Sequence, residues 1–214
     1  MAHRNTGGPE LSAPHDPEPA GSAHNPAQNG RRICVFCGSS PGKNPAYAAA
    51  ARELGRLIGE RGHTLVFGGG AVGLMGEVAL AAREARAPII GILPAFLRGL
   101  EPPLKSAEEL IITPDLQQRK SRMLALADAF VILPGGLGTL DEYFEVITTT
   151  QLRVHAKPII VVDVANYYAP LRALLERVVA QGFARAEIAS YHAFVATPLE
   201  AIGTIEALLT SRAA

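Results

Sequence analysis

The chain has 214 residues, 48% of them hydrophobic, and a formal net charge of zero. That balance, without a basic run or a basic helix face, argues against nucleic acid or an anionic membrane surface as the main partner. No run approaches the ~20 apolar residues of a membrane span, and the first residues lack the continuous apolar stretch of a secretory signal, so a soluble, cytoplasmic protein with a small ligand is expected.

Residues 1–30 carry five prolines and four glycines, and Leu11 is their only large aliphatic side chain. Such a stretch buries too little apolar surface to offset its ordering entropy and is expected to be a disordered tail. Residues 31–214 suit one domain, with no second linker and no repeat. They open on an expected strand, Ile33–Cys37, that holds both cysteines. Three residues apart on a strand, Cys34 and Cys37 point to opposite faces with Cα atoms about 10 Å apart, beyond disulfide reach. With no second Cys pair or Cys/His cluster to complete a zinc site, they read as buried core thiols and no metal is expected.

The loop GSSPGKN (38–44) follows, and Asn44 as cap, Pro45 at the first position and Gly62 just past the end delimit the first helix. After a strand over Thr64–Phe67 comes GGGAVGLMG (68–76), which contains G-x-G-x-x-G from Gly68 to Gly73. A dinucleotide site also wants an acidic residue about 20 positions on, at the end of the next strand, and PIIGILP has none. These glycines are therefore expected to pack the loop tightly against a nucleotide or a neighbouring loop. Strands over Pro88–Leu93 and Leu110–Thr113 precede the LQQRK segment (116–120). Phe130–Leu133 then runs into PGGLGTLDE (134–142), and Pro158–Val162 and a weaker strand over Ala193–Ala196 complete the set. β-branched runs alternating with amphipathic stretches predict an α/β fold, a parallel sheet covered by helices on both faces.

In such sheets ligands sit beyond the carboxyl ends of the strands, where helix N-termini offer free N–H groups. In PGGLGTLDE, Gly135, Gly136 and Gly138 allow close approach to the backbone, and Thr139, at the opening of the next helix, can add a hydroxyl; the pattern suits a phosphate. The competing reading is a plain capping box, T-x-x-E, from Thr139 to Glu142. The apolar stripe Leu140, Phe144, Ile147 is expected to face the sheet. Glu142 lies about 200° around from Leu140, which leaves its carboxylate free to face a cleft or to cap. Arg119 and Lys120, on spacing alone, read as a solvated helix face.

Together, ICVFCGSSPGKNPAY, GGGAVGLMG, the QRK segment, PGGLGTLDE and EVITTTQLRVHAKPI resemble the LONELY GUY family of phosphoribohydrolases, often mislabelled as lysine decarboxylases. The resemblance implies a Rossmann-like, doubly wound sheet, no organic cofactor or metal, and release of a free base and ribose 5-phosphate from a nucleoside 5′-monophosphate, cytokinin nucleotides and AMP being the usual substrates. It places the catalytic pair on Arg119 and Glu142, the phosphate loop on Gly135, Gly136, Gly138 and Thr139, and further substrate contacts on Lys120, Thr148 and Glu101. It also implies a homodimer with active sites near the subunit interface. The family often reads M-H-x-R-K before the arginine, whereas this chain has Leu116, Gln117, Gln118, Arg119, Lys120, a difference that bears on base preference. Cleaving an N-glycoside builds positive charge on the ribose, which a carboxylate such as Glu142 can stabilise, while Arg119 can hold phosphate or ribose oxygens or assist the departing base. A rival of another class is a carrier that binds a nucleotide or phosphorylated cofactor without chemistry. A lysine decarboxylase would need pyridoxal phosphate on a lysine, and Lys43, Lys105, Lys120 and Lys157 lie in no recognisable cofactor motif.

Overall fold

The computed structural model describes residues 30–99 and 107–212. The expected tail, apart from Gly30, and the candidate Glu101 lie outside the described residues. In chain order the elements are β1 (Arg32–Phe36), α1 (Pro45–Glu60), β2 (Thr64–Phe67), α2 (Gly73–Glu84), β3 (Ile89–Pro94), β4 (Glu109–Thr113), α3 (Leu116–Leu126), β5 (Ala129–Ile132), α4 (Leu137–Gln151), β6 (Ile159–Val162), α5 (Ala169–Ala180), β7 (Ala193–Val195) and α6 (Pro198–Ser211). The start of α1 follows from its local chemistry. The Asn44 side chain accepts from the Ala46 amide at 3.0 Å, Pro45 takes the first turn, and Gly62 leaves the helix with φ of 70°.

The strands form one parallel seven-stranded sheet in the order β4-β3-β2-β1-β5-β6-β7. The chain steps outward from β1 to β4, then returns to pair β5 against the free side of β1. Because parallel crossovers are right-handed, this reversal moves the connecting helices from one face of the sheet to the other. Helices α1, α2 and α6 cover one face, packing on Ile33, Val35, Leu65, Val131 and Ile160. Helices α3, α4 and α5 cover the second, packing on Phe36, Val66, Phe130, Ile132 and Val161. Strands β5 and β6 are buried along their whole length, which is why they read as continuous apolar runs. Cys34 faces the second core and Cys37 the first; both are free and buried, and burial raises both thiol pKa values well above the ordinary range.

The face of α4 departs from the expected stripe. Its buried residues are Thr139, Glu142, Tyr143, Val146 and Ile147, whereas Phe144 is 39% exposed and Leu140 only partly covered. The true inward set keeps helical spacing but is rotated by about one residue, ~100°, from the apolar count. Two of its members are polar, and a hydrophobicity pattern assigns polar residues outward. The helix also begins earlier than the T-x-x-E signal suggests. Gly136 is its N-cap, without a side-chain cap, and Thr139 sits two positions inside the first turn, so no capping box forms there.

Candidate active site

Strands β1 and β5 are neighbours whose following helices lie on opposite faces, so the loops after them open the crevice at which such sheets bind ligands. Both loops are glycine-rich, and they lock onto each other backbone to backbone. The Gly38 amide donates to the Pro134 carbonyl at 3.1 Å, and the Leu74 amide, at the start of α2, donates to the Gly38 carbonyl at 2.9 Å. A Cβ on Gly135 would stand 2.1 Å from Thr139 Oγ1 and 2.9 Å from the Gly38 nitrogen. At Gly73, with φ of 57°, it would stand 2.3 Å from the Ser39 carbonyl carbon. The GGGAVG loop thus packs against its neighbouring loop, one of the two expected uses of its glycines.

Gly136 and Gly138 differ from Gly135. A Cβ on either would meet nothing within 4 Å, and both are exposed. The fold would tolerate side chains there, so the bare backbone serves approach from outside. The amides of Gly136, Leu137, Gly138 and Thr139 are the four that an α-helix leaves without an internal partner, and the first bond inward is Leu140 N–H to the Gly136 carbonyl at 3.1 Å. With the positive end of the α4 dipole behind them, they form an anion-binding terminus. Beside it lies a cleft of about 270 Å³ lined by Ser39, Ser40, Tyr47, Gly135, Gly136 and Tyr167. Larger hollows, of about 430, 720 and 570 Å³, are lined instead by residues near β6, β7 and α5, and contain neither the glycine loops nor Glu142.

Glu142 stands one turn beyond Thr139 on the inward face of α4, 6% exposed. Its Oε1 accepts from Arg119 Nη1 at 2.6 Å, and no described residue bonds its second oxygen. Arg119 reaches this carboxylate from the first half of α3, anchored by Nε donating to the Ile92 carbonyl of β3 at 3.2 Å. Gly68, directly after β2, makes the room: a Cβ there would stand 2.3 Å from Arg119 Nη2. Burial pushes the Glu142 carboxyl above the ordinary glutamate range, although the neighbouring guanidinium pulls it back.

Of the other sequence candidates, Lys120 lies beside Arg119 but pairs with Asp141 at 3.0 Å and Glu145 at 2.5 Å, bracing α3 against α4. Burial alone would depress its ammonium; the Glu145 and Asp141 carboxylates outweigh that and raise it. Thr148 lies further along α4 and is exposed, away from the glycine loop of its own chain. Arg119, Glu142, Gly135, Gly136, Gly138 and Thr139 are brought together; Thr148 is not. Sequence reasoning passes over two structural supports. Gly68 is visible as a glycine but not as the seat of an arginine, and Tyr167, whose hydroxyl donates to the Gly135 carbonyl at 2.5 Å, carries no local signal.

Residues 75–205 match the family described as "Possible lysine decarboxylase". The chain is 45% identical over 168 residues to the "Probable cytokinin riboside 5'-monophosphate phosphoribohydrolase LOGL9" of Oryza sativa subsp. japonica, covering 78% of this chain and 73% of that one. It is 45% identical over 153 residues to the cytokinin riboside 5′-monophosphate phosphoribohydrolase LOG7 of Arabidopsis thaliana, covering 72% of this chain and 70% of that one. Among solved structures, the molybdenum cofactor binding protein of Rippkaea orientalis superposes with a TM-score of 0.65 at 22% identity, over 86% of this chain and 99% of that one. The molybdenum cofactor carrier protein of Chlamydomonas reinhardtii does so with a TM-score of 0.65 at 21% identity, over 85% and 99%. At that identity the two superpositions speak to the fold alone.

Proposed function

The chain belongs to the LONELY GUY (LOG) family of phosphoribohydrolases, and from that premise and the Arg119–Glu142 geometry we infer that it hydrolyses the N-glycosidic bond of nucleoside 5′-monophosphates, releasing free base and ribose 5-phosphate. The substrate's phosphate sits on the amides from Gly136 to Thr139, with the Thr139 hydroxyl as a further donor. Glu142 lies one turn, about 5 Å, further along the axis, where a sugar esterified to that phosphate comes within its reach. The single observation that carries this reading is a buried carboxylate held at 2.6 Å by a largely covered guanidinium, one turn inside a helix whose first amides are bare.

As the bond from the anomeric carbon to the base nitrogen breaks, the ribose gains oxocarbenium character, and the Glu142 carboxylate stabilises it and orients the water that adds there. The water's oxygen ends on the sugar and its proton on the departing base. Arg119 holds Glu142 in place and offers its remaining N–H groups to ribose or phosphate oxygens. The base is adenine or an N6-substituted adenine. The test is chromatography after incubation with AMP, with an N6-substituted adenosine monophosphate and with the two free nucleosides. Free base and ribose 5-phosphate in equal amounts, from the monophosphates only, is the expected result; binding without products would favour a carrier, and equal cleavage of free nucleosides would remove the phosphate loop from the mechanism.

The pH profile follows from the same carboxyl. Glu142 must be ionised to act, and its pKa is raised above the ~4.3 of an unperturbed glutamate. The acid limb of kcat/KM is therefore expected above the ordinary glutamate range, activity falling as pH drops through it. The stability term has the opposite sense. A raised native pKa stabilises the fold fully below the unfolded value, and that contribution is lost as pH rises through the native one. A profile whose acid limb sits at the unperturbed value would contradict this.

The working unit is a homodimer. On α4 and at its end, Leu137 (86% exposed), Phe144, Thr148 and Leu152 (68% exposed) recur at helical spacing along one outward stripe. An apolar stripe of this kind beside a site suits a second copy of the chain. It would also bring Thr148 against the partner. The double variant Phe144→Asp, Leu152→Asp is expected to sediment as a monomer with reduced turnover; a variant that stays dimeric would place the interface elsewhere.

A further inference from the structure

Two carbonyl groups of the phosphate loop and the strand end before it are held by specific side-chain donors. Two consecutive tyrosines at the entrance to α5 reach back to it: the Tyr168 hydroxyl donates to the Leu133 carbonyl at 2.7 Å and the Tyr167 hydroxyl to the Gly135 carbonyl at 2.5 Å. The connection presenting them is strained. Ala165 and Asn166 both adopt left-handed backbone, with φ of 52° and 60°; asparagine tolerates that conformation, whereas alanine holds it at a cost. Asp163, buried just after β6, braces the far end of this connection. Its Oδ1 accepts the Tyr168 amide at 2.7 Å and its Oδ2 accepts from Arg172 Nη2 at 2.6 Å.

In a trans peptide the carbonyl of one residue and the N–H of the next point in opposite directions, and the described peptide bonds are all trans. The Gly38 amide on the Pro134 carbonyl therefore aims the Gly135 N–H, and the Tyr167 hydroxyl on the Gly135 carbonyl aims the Gly136 N–H. Neither N–H donates to a described residue, and Gly136 is the N-cap of α4. Tyr168 cannot act in this way. The carbonyl it holds precedes Pro134, whose nitrogen carries no hydrogen.

We propose that Tyr167 is a positioning residue of the anion site, turning the Gly136 N–H toward the substrate's phosphate through its hydrogen bond to the Gly135 carbonyl. This rests on the reading of the PGGLG loop as the phosphate site. Tyr167→Phe in the full chain is expected to raise KM for AMP roughly tenfold, the size of one lost donor to a charged group, with kcat changed less than twofold. The inhibition constant of ribose 5-phosphate should rise by the same factor, and Tm should stay close to that of the parent. Tyr168→Phe should lower Tm and leave KM and that inhibition constant alone. An unchanged KM in Tyr167→Phe overturns the proposal, as does an equal rise in both variants, which would mean general loosening of the loop. If ribose 5-phosphate does not compete with AMP on the parent protein, the phosphate-site reading fails first and takes the proposal with it.

Discussion

Glu142→Gln should reduce release of free base from a nucleoside 5′-monophosphate by about a thousandfold or more, in line with the loss of one positioned carboxylate at a developing charge. The substitution keeps the shape of the side chain and an oxygen that still accepts from Arg119 Nη1, so the fold and substrate affinity should persist. It removes the negative charge and replaces the second oxygen, which no described residue bonds, with an amide NH2. Single-turnover assays with AMP, paired with a thermal melt, separate these effects; a variant retaining near-parental kcat would remove Glu142 from the chemistry. Arg119→Ala should also abolish turnover but is the less clean experiment. It strands a buried carboxylate without its partner, a loss of about 3–5 kcal/mol where such pairs are broken, and could unfold the chain before it reports on catalysis.

Gly68→Ala is expected to lower kcat/KM about a hundredfold while the protein stays folded. The added methyl would stand 2.3 Å from Arg119 Nη2 and 3.1 Å from Met75 Sδ, both at or near the ends of flexible side chains. The fold therefore yields cheaply by moving the guanidinium. Moving it takes Arg119 off Glu142, and a displacement of about 1 Å in a catalytic group can cost ~10²-fold. Kinetics with AMP and a melting curve decide the point. Parental activity in Gly68→Ala would show that the position of this guanidinium is unimportant.

Strand Thr64–Phe67 is legible to the residue, because an apolar run stands between a helix-ending Gly62 and a loop-opening Gly68. The same holds for the start of α1, where Asn44 and Pro45 act through local chemistry alone. Strand β7 is weaker in sequence because it is the edge of the sheet, only partly buried. The inner face of α4 was hidden because its decisive members, Thr139 and Glu142, are polar yet buried. Polar residues tolerated on a core face are where function overrides pattern. The phosphate loop itself is readable as a glycine cluster before a helix. What sequence does not carry is the partner of each group: that Gly68 houses Arg119, that Lys120 braces two helices, and that Tyr167 holds the Gly135 carbonyl all depend on contacts between distant segments.

The most direct test of the account is a crystal structure of Glu142→Gln soaked with AMP. Phosphate oxygens are expected within hydrogen-bond distance of the Gly136, Gly138 and Thr139 amides, with the anomeric carbon turned toward the side chain at position 142. Density for the nucleotide in another cleft, or a bound phosphate with its ribose directed away from position 142, would contradict it.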